Sequence, residues 1–353
     1  MRVLITGGAG FIGSHLAASL LERDHQVTVI DDLSTGCFEN IAHLQRRAGF
    51  KWVHGTVLRE DIVGPLVDRA DVVFHLAAAV GVRLVVDAPI HTIETNVHGT
   101  HIVLRRAART GALVVVASTS EVYGKSAALP FREDHDLVLG SPTKRRWGYA
   151  ASKLLDEFLA LAYWKEHRLP TIVVRFFNCV GPRQSSRYGM VLPNFVRQAL
   201  VNGPLTVHGD GSQTRSFTWV GDVVWALESL MAERRACGQI FNVGNDHEIS
   251  IGELALRVKA AARSTSDIQF VPYKQAYDAD FEDMPRRIPD ISKLRNLVGF
   301  SPRVLLPEII DRTIDYWRQR DGVESAAARS TVERGGRVAY EPKLSRIDVG
   351  VTV

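Results

Sequence analysis

Short apolar runs rich in β-branched residues alternate along this chain with longer segments whose apolar residues recur every three or four positions. The runs are RVLIT (2–6), QVTVI (26–30), DVVFHLA (71–77), ALVVVAS (112–118) and TIVVRF (171–176), and the helical segments include 13–23, 90–109 and 149–167. A strand buried on both faces reads as a continuous apolar run, and a helix between two such strands returns the chain so that the next runs parallel to the last. The pattern predicts an α/β fold: a doubly wound parallel sheet over residues 1–180 that takes its ligands at the carboxyl ends of the strands. Beyond residue 180, Pro and Gly punctuate more often and strands such as IFNVG (240–244) stand isolated. A smaller mixed α/β domain is expected over 181–320, partly crossing back into the first. From Asp321 to Val353 the composition loses its apolar period, which predicts a mobile tail.

Composition excludes several classes. With 46% apolar and 23% charged residues the chain is globular in character, and runs such as Ala112–Ala117 are too short to span a bilayer. A strand already at residues 2–6 leaves no room for a leader, so a cytoplasmic protein is expected. Cys37, Cys179 and Cys237 are odd in number and lack a CxxC, fitting neither a disulfide framework nor a zinc site, and no metal site is read. A net charge of +4 without a block of five like charges argues against a nucleic-acid surface. The densest basic spot, Arg145-Arg146-Trp147, better suits a cleft that meets a diphosphate.

The first strand runs directly into ITGGAGFIGSHL. Gly7, Gly10 and Gly13 lie at GxxGxxG spacing, and Gly8, Gly10 and Gly13 also satisfy GxGxxG. Glycines at such a strand–helix turn let backbone N–H groups approach a pyrophosphate and let the helix pack closely. Phe11 and Ile12 open that helix. Asp31, followed by Asp32, closes the second strand, where a carboxylate bonds a ribose 2′-hydroxyl and repels a 2′-phosphate. NAD is therefore expected rather than NADP. Thr56 stands where Asp often contacts adenine in such folds.

GYAASKLLDE places Tyr149 and Lys153 four apart, on one helical face. A free tyrosine, with a pKa of about 10, is a weak acceptor at neutral pH. A neighbouring ammonium and a cationic nicotinamide would both favour the phenolate, so a lowered pKa is expected.

These motifs together resemble the extended short-chain dehydrogenases/reductases, the nucleotide-sugar epimerase/dehydratase/decarboxylase superfamily. TGGAGFIG, Asp31, LAAA (76–79), ETNVHGT (94–100), STSEVYG, YAASK, RFFNCVGPRQ (175–184) and GDGSQTRSFTWVGDV (209–223) fall in that family's order. The resemblance implies a Rossmann-type sheet, a smaller substrate domain and a homodimer paired through the helices at 90–110 and 149–167. It implies Tyr149 as catalytic base, with Lys153 as its electrostatic and ribose-binding partner. Thr119 would bond the sugar's 4-oxygen, beside Ser120. Leu76, Ala77, Ala78, Asn96 and Ser118 would line the cofactor. Asn178, Asn194, Arg215 and Arg287 match positions that hold the nucleotide diphosphate of a nucleotide-sugar substrate, usually a UDP-sugar, and PLTVHGDG (204–211) the strand along its base.

Glu121 divides the reactions. All begin by oxidising the sugar at C4. A 4-epimerase needs no further acid or base, whereas 4,6-dehydratases resembling this chain use a glutamate here to remove the C5 proton, commonly after an Asp where this chain has Ser120. UDP-glucuronate decarboxylases also carry Ser-Glu here. The AAAVGVR loop (77–83) and the C-terminal half look most like UDP-sugar 4-epimerases, which is the leading expectation; decarboxylase and dehydratase remain the alternatives. Glu121 also has a plain reading, as a carboxylate orienting Arg183 or a backbone amide near the site. A protein that kept the fold and lost its chemistry would be expected to lack Tyr149 or Lys153. Replacing Asp31 with Ala should weaken NAD binding and narrow the preference over NADP, as measured by titrating both dinucleotides.

Overall fold

The computed structural model describes residues 1–333 other than 82–84, 86, 187–189 and 277–281, and of 321–333 the backbone alone. Seven strands form the main sheet: β1 (Arg2–Thr6), β2 (Gln26–Asp31), β3 (Phe50–His54), β4 (Val72–His75), β5 (Leu113–Thr119), β6 (Thr171–Phe176) and β7 (Gln239–Val243). Their spatial order is β7-β6-β5-β4-β1-β2-β3, and every neighbouring pair is parallel. The winding reverses between β1 and β4, which opens a crevice at their carboxyl ends.

Alternation along each strand sends side chains to two cores. Val3, Ile5, Val29, Phe74, Val115 and Val174 meet Leu16 and Leu20 of the helix Phe11–Glu22 and Leu227 of the helix Val220–Ala232. Leu4, Ile30, Val73, Val114, Val116 and Val173 meet Ile102 and Val103 of the helix Pro89–Thr110 and Ala160 of the helix Arg146–His167. These last two helices lie side by side, with Ile90, Ile93, Leu155 and Phe158 left exposed.

One expectation is corrected. IFNVG is not isolated: β7 pairs parallel with β6 and completes the main sheet. The helix Val220–Ala232 covers the sheet and returns the chain to its edge, a long-range closure that a five-residue run cannot reveal. The chain past Asp321 continues the helix Leu306–Glu333, while 334–353 lies outside the described residues.

The remaining strands form small sheets around a third core that includes Leu192, Phe195, Leu205, Leu254 and Ile310. One matters for the site. Thr214–Ser216 is flanked antiparallel by Glu248–Ser250 and parallel by Arg286–Arg287, and the register sets Arg287 beside Arg215.

His75, at the end of β4, is fully buried between Thr6 Oγ1 at 2.8 Å from Nδ1 and Thr100 Oγ1 at 3.0 Å from Nε2. Burial, aided by the charge of Lys153, lowers its pKa to about 3. Burial likewise brings His15 to about 4, although it bonds the Pro182 carbonyl. Both are held neutral in the fold, so their contribution is complete above the ordinary histidine pKa of about 6.5 and is lost as pH falls toward the folded values. For His75 the full span is on the order of 5 kcal/mol. Chemical denaturation between pH 7 and 4 should show stability falling with pH, and His75→Gln should flatten that fall. An equal slope in the variant would remove His75 as its source.

Candidate active site

A cleft of about 820 Å³ runs from the glycine turn to the small sheets. Every candidate site residue named above lines it except Asn96. Asn96 is buried behind the wall, where its Oδ1 accepts from Ala79 N at 2.8 Å and its Nδ2 donates to Ser152 Oγ at 3.0 Å. It fixes the 77–79 loop against the Tyr149 helix, a supporting place that the ETNVHGT motif alone did not distinguish from a contact.

The glycine turn is built for close approach. Gly7 has φ +70°, and a Cβ there would stand 2.7 Å from Ala77 N; one at Gly13 would stand 2.5 Å from the Gly7 carbonyl. Gly8 turns the other way, against Val29, so the spacing that faces the cleft is GxxGxxG. Asp31 sits at the end of β2, its Oδ2 accepting from Ala9 N at 2.9 Å and its Oδ1 from Leu33 N at 2.8 Å. Burial raises its pKa against those bonds. The carboxylate thus ties the glycine turn to the second strand while lining the cleft.

At the tip of β5 the hydroxyl run resolves into separate tasks. The Ser118 hydroxyl donates to Glu157, which forms a buried pair with Arg175 at 2.7 Å. Thr119 Oγ1 accepts from Glu121 N at 3.2 Å and so caps the 3₁₀ turn Ser120–Tyr123. Tyr123 anchors that turn: its ring stacks on Phe131 at 4.4 Å, and its hydroxyl donates to Asn242 Oδ1 of β7 at 2.8 Å. Gly124, at φ +59°, is required because a Cβ would meet the Val138 carbonyl at 2.2 Å. The turn leaves Glu121 facing the cleft beside Tyr149.

Tyr149 lies opposite, bonded to Thr119. Its pKa is raised, by burial first and then by the negative charges of Glu121 and Asp156. The expected lowering concerned the phenol beside a cationic nicotinamide, and the protein's own groups alone do not supply it. Lys153 Nζ donates to Asp156 Oδ2 at 2.6 Å, and both side chains are buried. Asp156, three residues on and unremarked in the sequence, thus compensates the ammonium that was expected to act on the phenol.

Arg146, Arg215 and Arg287 converge on the far wall. Alternation along Arg286–Arg287 sends Arg286 outward to Glu248 at 2.5 Å and Arg287 inward, where its Nη1 lies 3.5 Å from Glu121 Oε1. Arg146 Nη2 lies 3.9 Å from Glu121 Oε2. Arg183, the partner considered for Glu121, instead reaches Ser14 Oγ at 3.4 Å and His43 Nε2 at 3.3 Å. Burial, then the charge of Arg215, lowers the pKa of Arg287 to about 10, and its Nε is buried without a hydrogen-bond partner. Against these three guanidinium groups stand the carboxylates of Glu121 and Asp283. Sequence reasoning missed Asp283 and noted Arg146 only as part of the basic spot at 145–147. Arg146 was legible as the residue three before Tyr149, on its helical face; Asp283 carried no such signal.

The pattern of the NAD dependent epimerase/dehydratase family matches residues 3–244. The chain belongs to that family. It is 42% identical over 319 residues to the UDP-N-acetyl-alpha-D-glucosaminuronate decarboxylase of Bacillus cytotoxicus, covering 90% of this chain and 98% of that one. It is 39% identical over 316 residues to UDP-glucuronic acid decarboxylase 1 of Danio rerio, covering 90% and 72%. The UDP-glucuronic acid 4-epimerase of Bacillus cereus, solved with UDP-glucuronic acid and NAD, superimposes with a TM-score of 0.81 at 29% identity over 90% of this chain and 99% of that one. As a member of the epimerase/dehydratase family the chain is an NAD-dependent nucleotide-sugar enzyme. The residues present fit that cofactor: Gly7, Gly10 and Gly13 line the cleft as bare backbone in a turn too tightly packed at Gly7 and Gly13 to admit a Cβ, and Asp31 closes the second strand beside them. Among the described residues no helix is long and apolar enough to cross a membrane.

Bound NAD supplies a hydride acceptor and a positive ring. Tyr149, placed in the cleft beside Thr119, is the group positioned to accept a proton from a sugar hydroxyl. Tyr149→Phe should leave NAD bound while lowering turnover by about 10²- to 10⁴-fold, the usual worth of a general base. Near-normal turnover with bound NAD would remove Tyr149 from the reaction.

Proposed function

We propose that this enzyme decarboxylates a UDP-linked uronic acid, a UDP-glucuronate or its 2-acetamido counterpart, by way of a 4-keto sugar. The observation that carries the reading is Glu121 paired with Arg287 and flanked by Arg146, next to Tyr149. The leading expectation from the sequence was a 4-epimerase; the partly buried Glu121–Arg287 pair beside Tyr149, taken with the decarboxylase relatives, favours the alternative. A 4,6-dehydratase needs Glu121 as a free base with an acid beside it; here Glu121 faces two cations and the preceding residue is the buried Ser120. The substrates named for the decarboxylase relatives agree with the cationic wall.

The chemistry follows from charge. Oxidation at C4 makes the sugar's C6 carboxylate that of a β-keto acid, which loses carbon dioxide readily. Tyr149 takes the C4 hydroxyl proton, and with Thr119 stays at the oxygen where the enolate charge gathers when carbon dioxide leaves. Arg287 and Arg146 hold the carboxylate, and Glu121 fixes both cations and limits their net charge, so the acid is oriented without being locked in its ionised ground state. Exposed Ile90, Ile93, Leu155 and Phe158 support the pairing of two chains through their helices.

Incubation with UDP-glucuronate, UDP-N-acetylglucosaminuronate and UDP-glucose, followed by NMR, should show loss of C6 and release of carbon dioxide from a uronate. Glu121→Gln should lower that release about 10- to 100-fold, the worth of a charge-assisted hydrogen bond to the arginines, while NAD stays bound. Inversion at C4 with C6 retained would overturn the decarboxylase reading in favour of epimerisation, and loss of water from UDP-glucose would do so in favour of dehydration.

A further inference from the structure

We infer that Asp283 is a positioning residue for nucleotide-sugar binding, a carboxylate that holds two of the wall's arginines in the pose that receives the substrate's anionic groups. The inference rests on the nucleotide-sugar reading of the cleft and adds a residue to it.

Asp283 precedes the strand Arg286–Arg287 and makes four hydrogen bonds. Its Oδ1 accepts from Arg146 Nη1 at 3.0 Å and from Met284 N at 2.8 Å, and its Oδ2 from Arg215 Nη2 at 2.8 Å and from the Tyr273 hydroxyl at 3.1 Å. The two arginines come from distant elements, Arg146 from the helix that carries Tyr149 and Arg215 from the small sheet. Backbone carbonyls complete the clamp: Glu282 accepts from Arg146 Nη1 at 2.8 Å, and Thr214 from Arg215 Nη1 at 2.7 Å. Both guanidinium side chains are about nine-tenths or more buried, so neither has water to hold its direction. Burial pushes the Asp283 pKa up, yet the charges of Arg215, Arg146 and Arg287 bring it to about 2, so it is anionic throughout the neutral range.

Two roles for such a carboxylate predict opposite signs. If Asp283 acts only as a negative charge in an anion site, removing that charge should tighten UDP binding. If it acts by position, removing it should weaken UDP binding, because Arg215 and Arg146 lose their common acceptor and repel one another. Calorimetric titration of UDP and, separately, of NAD into wild-type protein and Asp283→Asn distinguishes them. The expected result is at least a tenfold rise in the Kd for UDP with the Kd for NAD within twofold. Asp283→Glu keeps the charge but cannot preserve all four bonds across an added methylene, and is expected to lie between the two, about three- to tenfold weaker than wild type. Unchanged or tighter UDP binding in the Asn variant overturns the inference; if that variant does not fold, unchanged binding in the Glu variant overturns it. UDP binding does not require decarboxylation. Weakened UDP binding in an enzyme that only epimerises would therefore sustain the role of Asp283 and sink the proposed reaction. Wild-type protein that fails to bind UDP would sink both.

Discussion

Seven parallel strands all end on the same side of one sheet, and that shared direction is the constraint from which the site follows. Both faces must be covered to bury the apolar runs, so the helices occupy the faces and leave the carboxyl ends open. The reversal between β1 and β4 then parts the connections and forms the crevice. Gly7 at the end of β1 and the hydroxyl-tipped end of β5 meet in this crevice, although more than a hundred residues separate them. The small sheets close the far side by bringing in Arg215 and Arg287 as cross-strand neighbours.

Burying charge in such a cleft is costly unless it is paired, and the pairing shows what each charge is for. Arg175 and Glu157 satisfy one another, with Ser118 donating as well, and this is a fixed part of the scaffold. The wall is different. Arg146, Arg215 and Arg287 carry one more charge than Glu121 and Asp283 return, and Arg287 keeps a buried Nε donor without a partner. A surplus cation and an unused donor suit a site that takes an anion, which the diphosphate of a nucleotide sugar provides.

Much of this was legible in the sequence because it is local. A glycine turn after a strand, an acid at the end of the next strand, and Tyr149 four residues before Lys153 are short-range patterns with a direct physical reading, and all of them line the cleft. What escaped was long-range or electrostatic. β7 looked isolated because its partner, β6, lies more than sixty residues earlier. Arg286 and Arg287 are adjacent in sequence, and only the pleat decides which one faces inward. Asn96 belongs to a recognisable motif yet lies behind the wall, since a motif marks a neighbourhood and not the direction of a side chain. Glu121 was identified as the informative residue, but its partners arrive from 25 and 166 positions downstream, beyond the reach of any local pattern.

The phenol of Tyr149 shows why those partners matter to the chemistry. A tyrosine next to a lysine on one helical face suggests a phenolate ready to act. In the folded chain Lys153 spends its charge on Asp156, while burial and Glu121 hold the phenol protonated. The phenol's pKa falls only when positive charge is added beside it, and in this family that charge comes with the oxidised cofactor. Proton removal is thereby coupled to the presence of the hydride acceptor, so that oxidation at C4 proceeds only when both halves of the hydroxyl's hydrogen have somewhere to go. Glu121 stands on both sides of this balance, since its negative charge raises the phenol's pKa while its carboxylate faces Arg287 and Arg146.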